Sequence, residues 1–227
     1  MVEVKLKREN DKDFRFERKF PLSKEKLELF YYWLVRQNYG FKTAYPDRNV
    51  NNVYYDSNSF TSFLDAEAGI SKKVKIRVRW YGEHNFIKKP ILELKHKMGF
   101  VNYKDSFALQ DKKYDISDLL NTRNFISSIP PEFRVFLYKH SKSVLINSYK
   151  RQYFENKDEI RLTIDTDVKY KNPILKNGFS QCDNYAILEI KYRKEQKDIA
   201  LPILKNLPFT LDKNSKFANG LEKIWAI

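Results

Sequence analysis

Residues 73–80 read KVKIRVRW, so Lys73, Lys75, Arg77 and Arg79 alternate with Val74, Ile76, Val78 and Trp80. A period of two is the mark of a β-strand with one charged and one apolar face. The pattern recurs along the chain. Arg15, Glu17 and Lys19 share a face of FRFERKF, and Glu93, Lys95 and Lys97 a face of LELKHK. Tyr149, Arg151 and Tyr153 do so in SYKRQYF, Arg161, Thr163 and Asp165 in EIRLTID, and Glu189, Lys191 and Arg193 in AILEIKYR. The opposite faces carry Leu92, Leu94, Leu162, Ile164, Leu188 and Ile190. One such strand alone would turn its charges to water.

Helical segments decide otherwise. Ser23 can cap a helix running to about residue 37, with Leu27, Phe30, Leu34 and Val35 on one face. A short helix is expected to start at Asp56 or Ser57 and end at Gly69, and others near 115–127, 131–139, 195–206 and 214–224. Strands are expected over 14–20, 49–55, 73–82, 90–97, 101–109, 143–154, 159–168 and 184–193. Helices need an apolar sheet surface, and only the apolar strand faces supply it. The charged faces must then meet each other across a closed sheet. The expected fold is α+β: an antiparallel barrel of roughly eight strands with helices packed outside.

A bare buried ion costs many kcal/mol, so a charge-lined interior must be a wet tunnel holding counter-ions or ligand. Lysine and arginine total 43 against 29 acids, a formal charge of +14, which favours an anionic occupant such as a chain of phosphates. Glu17, Glu93 and Glu189 would repel phosphate directly. Each either holds a divalent cation, Mg²⁺ or Mn²⁺, or pairs with a neighbouring lysine.

With six glycines and no repeat, low-complexity tract or linker, the chain reads as a single domain over 1–227, its core about 13–224. Cys182, the one cysteine, permits no intramolecular disulfide and fits a reducing, cytoplasmic compartment. The N-terminus lacks the apolar core of a signal peptide, and no apolar run is long enough to cross a membrane. Association with a membrane would run through a partner protein or surface charge. His84, His96 and His140 have no zinc spacing, and His96 alternates with Leu92 and Leu94 on the outer face. Tyr54, Tyr55, Tyr149 and Tyr153 either contact a nucleotide base or pack in the core or rim. No phosphate-binding glycine loop, kinase signature, RNP1-like strand, helix-turn-helix or zinc knuckle is present, so nucleic acid is not an expected partner.

Seven segments in order resemble the VTC (vacuolar transporter chaperone) domain, the polyphosphate polymerase branch of the triphosphate tunnel metalloenzymes. They are FRFERKF, NNVYYDSNSFTSFLDAEAG, KIRVRWYG, ILELKHK, YKRQYF followed by RLTIDTDV, ILEIKY and SKFANGLE. The resemblance implies metal-dependent transfer of the terminal phosphate of a nucleoside triphosphate, ATP being the expected donor, onto polyphosphate. It implies that Lys19, Arg77, Arg79, Lys95, Arg151 and Arg161 act on the reacting phosphates and that Lys75 and Lys216 bind phosphate; Lys97 and Lys191, on the same charged faces, are expected to bind phosphate too. It makes Glu189 the principal ligand of Mn²⁺ or Mg²⁺, with Glu17 and Glu93 as auxiliary groups. The runner-up is a tri- or polyphosphatase, or nucleoside triphosphatase, of the same fold. That hydrolytic branch favours a Glu-x-Glu-x-Lys first strand, where this chain has Arg15-Phe16-Glu17-Arg18-Lys19. A non-catalytic module binding polyphosphate or nucleic acid is the third reading. Unlike the larger eukaryotic polymerases, the chain is expected to carry neither a phosphate-sensing helical domain nor a membrane anchor.

Overall fold

The computed structural model describes residues 14–99, 101–175 and 180–225; residue 13, where the sequence starts the domain core, lies outside them. The strands are β1 (Arg15–Leu22), β2 (Lys42–Asp56), β3 (Lys72–Tyr81), β4 (Ile91–Met98), β5 (Val101–Ala108), β6 (Lys142–Glu155), β7 (Arg161–Lys171), β8 (Gln181–Cys182) and β9 (Ala186–Arg193). The helices are α1 (Lys24–Arg36), α2 (Thr61–Glu67), α3 (Ile116–Leu120), α4 (Pro131–Lys139), α5 (Lys197–Asn206) and α6 (Lys216–Trp225). The sheet order is β6-β2-β3-β4-β5-β1-β9-β7-β8, and a further β6–β7 pairing closes eight strands into an antiparallel barrel. The short β8 hangs from β7 at Lys169↔Cys182 and was not legible as a strand.

The apolar strand faces do point outward. Phe20, Leu162, Ile164, Leu188 and Ile190 pack under Phe30 and Trp33 of α1 and Ala200 and Ile203 of α5. Ile76, Val78, Trp80, Leu92 and Leu94 pack under Leu119 of α3 and Phe133 and Leu137 of α4. With a third cluster, in which Phe63 of α2 and Phe217 and Leu221 of α6 meet Val144, Leu145, Val168 and Tyr170, the described residues form three apolar layers in place of one central core. Ser23 caps α1 as expected, its side chain accepting from the Lys26 amide. Val35 departs from the expected buried face: it is 85% exposed, because the stripe that packs runs through Phe30 and Trp33. The helix expected over 115–127 breaks after α3 into two 3₁₀ turns, Thr122–Asn124 and Ile126–Ser128. Asn121 starts the first by accepting from the Arg123 amide, which diverts the backbone from the α-helical path.

One end of the barrel is covered by α6. Phe217 lies 5.3 Å from Tyr54 ring to ring, and Gly220 faces Tyr170 and Leu145. A Cβ on Gly220 would come within 2.6 Å of the Tyr170 ring and 2.8 Å of Leu145. Gly220→Ala is therefore expected to cost about 1–3 kcal/mol by overpacking, read by chemical denaturation. No helix among the described residues is long and apolar enough to cross a membrane.

Candidate phosphate tunnel

Antiparallel register assembles the site. Lys75 lies opposite Lys95, and Lys95 opposite Lys104, so one row of the barrel wall is lysine on three successive strands. Like charges facing across strands are destabilising unless something anionic sits between them. Arg77 lies opposite Glu93, Lys19 opposite Glu189, Glu17 opposite Lys191, and Arg151 opposite Asp165. The inward faces line two neighbouring cavities. The outer one, about 520 Å³, is lined by Glu17, Tyr45, Lys104, Tyr153, Arg161 and Thr163, among others. The inner one, under α6, is lined by Lys19, Tyr54, Lys75, Tyr149, Glu189, Ser215, Lys216 and Phe217. Arg77, Arg79, Lys95, Arg151 and Lys191 border both and form the waist.

The acids are held by this cationic wall. Glu93 accepts from Arg77 Nε at 2.7 Å and from Lys104 Nζ at 2.6 Å. The three cations Arg77, Arg79 and Lys104 outweigh burial and keep its carboxyl well below the usual range. This occupancy favours the ion-pair reading of Glu93 over the metal reading. Glu17 takes Lys95 Nζ on both oxygens, at 3.0 and 2.8 Å. Glu189 pairs with Lys191 at 2.7 Å and faces Lys19 at 3.6 Å. Burial would raise both carboxyls, yet Lys95 lowers Glu17 and Lys191 lowers Glu189, while Glu189 pushes Glu17 back up. Asp165, absent from the sequence-derived site, binds Arg151 Nε at 2.5 Å and Nη2 at 2.7 Å, and also receives Lys216 from α6. Against burial, those two cations hold it at about 2.

Such relief is uneven among the cations. Lys75 donates to Ser215 Oγ at 2.8 Å and has no carboxylate within ion-pair distance among the described residues. Burial first, then Lys19 and Lys95, push its ammonium well down. Arg79 is held by neutral acceptors, Asn52 Oδ1 at 2.9 Å and the Tyr149 hydroxyl at 3.1 Å, with Glu93 at 3.8 Å. Lys95 is lowered to about 8 by burial despite Glu17, and Tyr149 to about 8 by Arg151 and Arg79 against burial.

Two sequence-derived positions stand at the edges. Arg161 is on the rim of the outer cavity, 41% exposed, and pairs with Glu155 at 3.1 Å. Lys97 is exposed near the end of β4, opposite Lys73, and borders neither cavity. Tyr55 is core, its hydroxyl donating to the Leu119 carbonyl, whereas Tyr54 faces inward and accepts from Arg77. His96 lies on the outer face, stacked on Tyr103 at 4.5 Å and 3.1 Å from Asp105. Lys104 is marked by its alternation with Asn102 and Ser106, and Asp165 by its place on the same face as Arg161 and Thr163.

Among the described residues no trio of histidine, cysteine, aspartate and glutamate is set to cage a metal. Glu17 and Glu189 on adjacent strands nonetheless offer hard oxygens. Mg²⁺ commonly takes one or two carboxylates and completes its shell with water and substrate phosphate. The pair fits a cation that arrives with phosphate, not a resident all-protein site.

Comparison with known proteins agrees with this geometry. A structure from Hippeastrum, described as a putative adenylyl cyclase with a dominant triphosphatase activity, superposes with a TM-score of 0.55 at 14% identity, covering 93% of this chain and 96% of its own. A putative adenylate cyclase from Vibrio parahaemolyticus gives a TM-score of 0.50 at 8% identity, covering 89% and 95%. At such identities the likeness is one of fold alone, the closed antiparallel barrel with helices outside. No curated protein sequence matches the chain significantly. The VTC domain family matches residues 4–225, nearly the whole sequence, and the chain belongs to that family.

Proposed function

We propose that the chain is a polyphosphate polymerase, moving the terminal phosphate of a nucleoside triphosphate onto a polyphosphate chain within the tunnel. The reading rests on one observation above all: the four acids on the inward strand faces, Glu17, Glu93, Asp165 and Glu189, are each already engaged by a cation. Glu17 is taken by Lys95, Glu93 by Arg77 and Lys104, Asp165 by Arg151, and Glu189 by Lys191. Carboxylates held this way are weak bases. A hydrolase must deprotonate water, but a polyphosphate end is already an oxyanion and needs no base.

In the reaction, an oxygen of the polyphosphate end attacks the terminal phosphorus and forms a new P–O bond. The bond from that phosphorus to its bridging oxygen breaks, and a nucleoside diphosphate leaves. Arg77, Arg79, Lys95 and Arg151 at the waist hold both anionic partners in line and spread the charge of the transferring group. Lys75, Lys19, Lys191 and Lys216 continue the cationic track beneath α6. Glu189 with Glu17 would hold Mn²⁺ or Mg²⁺, which when bound would neutralise phosphate charge. Purified protein given ATP and Mn²⁺ should form long-chain, acid-labile phosphate. Release of orthophosphate alone would establish the phosphatase reading in its place.

A pH dependence follows. Lys95 and Tyr149 both titrate near 8. Deprotonation removes a positive charge at the one and adds a negative charge at the other, so affinity for inorganic triphosphate should fall as pH rises through about 8. The slope should approach ~10-fold per pH unit for each proton lost, with proton uptake on binding measurable by calorimetry in two buffers. Stability of the empty protein should run the opposite way. The unfolded chain keeps the Lys95 proton up to the ordinary 10.5, so this residue's contribution to stability rises between about 8 and 10.5.

A further inference from the structure

The outer mouth carries a cluster that phosphate binding leaves unused. Arg48 has no carboxylate within ion-pair distance among the described residues; its guanidinium sits over three tyrosine rings, 5.3 Å from Tyr45, 5.6 Å from Tyr81 and 5.8 Å from Tyr153. Tyr45 and Tyr153 meet edge to face at 5.6 Å, and both line the outer cavity. Tyr45 is 45% exposed and Tyr81 37%. Large rings kept this open, around a cation with no acid partner, offer flat faces to a flat ligand.

The backbone is bent to make the cluster. The β2–β6 register runs regularly from Arg48↔Arg151 to Tyr54↔Leu145, but shifts between Thr43 and Tyr45 and again between Tyr45 and Arg48. Bulges at a barrel rim re-aim side chains. These two, around Pro46, bring Tyr45 opposite Tyr153 and Arg48 opposite Arg151. Tyr153 is two residues from the waist residue Arg151 on the same strand face, about 7 Å along the strand. That is a gap a ribose can bridge between a phosphate held at the waist and a base at the rim.

We propose that Tyr45, Tyr153 and Arg48 form a stacking platform for the base of the nucleoside triphosphate donor, so that the mouth selects a nucleotide over bare triphosphate. The proposal rests on the phosphate reading of the tunnel and adds its nucleoside half. Base–aromatic stacking is worth about 1–3 kcal/mol by alanine substitution, or roughly 5- to 150-fold in affinity.

The test compares two probes by calorimetry: inorganic triphosphate, which has no base, and a non-hydrolysable ATP analogue. Tyr45→Ala should weaken the analogue about 10-fold and leave inorganic triphosphate within about twofold; Arg48→Ala, which also removes a charge opposite Arg151, should weaken both probes but the analogue more. Tyr45→Phe keeps the ring and should restore wild-type affinity for the analogue. Equal weakening of both probes, or of neither, would overturn the platform. The two readings fail separately: inorganic triphosphate binding to wild type tests the tunnel, and the change in the ratio of the two affinities tests the mouth.

Discussion

Arg77→Ala is expected to abolish phosphoryl transfer, with turnover falling about 10³-fold or more. Arg77 borders both cavities, where the proposed reaction would bring the transferred phosphate. The same side chain neutralises Glu93, whose side chain is 2% exposed. Its removal leaves that carboxylate to Lys104, itself 47% exposed, and to Arg79 at 3.8 Å. Stranding one partner of a buried pair costs about 3–5 kcal/mol, so the variant should also melt earlier. Lost activity alone would then be ambiguous. The double variant Arg77→Met with Glu93→Gln separates the effects: it removes both charges at similar volume, and stability should largely return. Activity should not return, because the phosphate has lost its guanidinium. Recovery of turnover along with stability would show that Arg77 serves the wall and not the substrate.

The wall was legible because a strand's period is two and cannot be disguised. Once helices claimed one face of each strand, the other face had to turn inward, and Lys19, Arg77, Lys95, Arg151 and Lys191 lie there. What the pattern could not carry is a change of parity. In β7 the ladder advances three residues, Thr166 to Lys169, while β6 advances two, Lys150 to Ser148. Asp167 takes a positive φ of 53° at that bulge. Past it, Val168 and Tyr170 join the face that meets α6, although Arg161, Thr163 and Asp165 predict the odd residues there. The bulges of β2 had the same effect at the mouth. Tyr45 and Arg48 differ by three positions and would fall on opposite faces of a regular strand. Which acid is closed off by its ion pairs was equally hidden. Glu17, Glu93 and Glu189 look alike in sequence, and only the register shows that Glu93 is closed off between Arg77 and Lys104 while Glu17 and Glu189 stand beside each other's lysines.

That distinction sets the outcome for Glu189→Gln. The substitution keeps size and hydrogen-bonding capacity, so the wall should stay folded, yet it removes the charge that a divalent cation would need. Turnover should fall about 10²- to 10³-fold at a fixed Mn²⁺ concentration, and the Mn²⁺ required for half-maximal rate should rise. Metal-free affinity for polyphosphate should not fall with it. At an effective dielectric near 20, a unit charge about 8 Å from a phosphate is worth about 2 kcal/mol. Deleting a carboxylate from a cation-lined path should therefore strengthen anion binding even as it weakens the proposed metal site. Lys191 and Lys19, released from Glu189, become available to the chain. Glu17→Gln should move both quantities the same way but less, since Glu17 is further committed to Lys95 through both oxygens. The opposite result, an unchanged Mn²⁺ requirement with collapsed polyphosphate affinity, would make Glu189 an anchor for its lysines. The metal would then have to be sought on Glu17 or on the substrate alone.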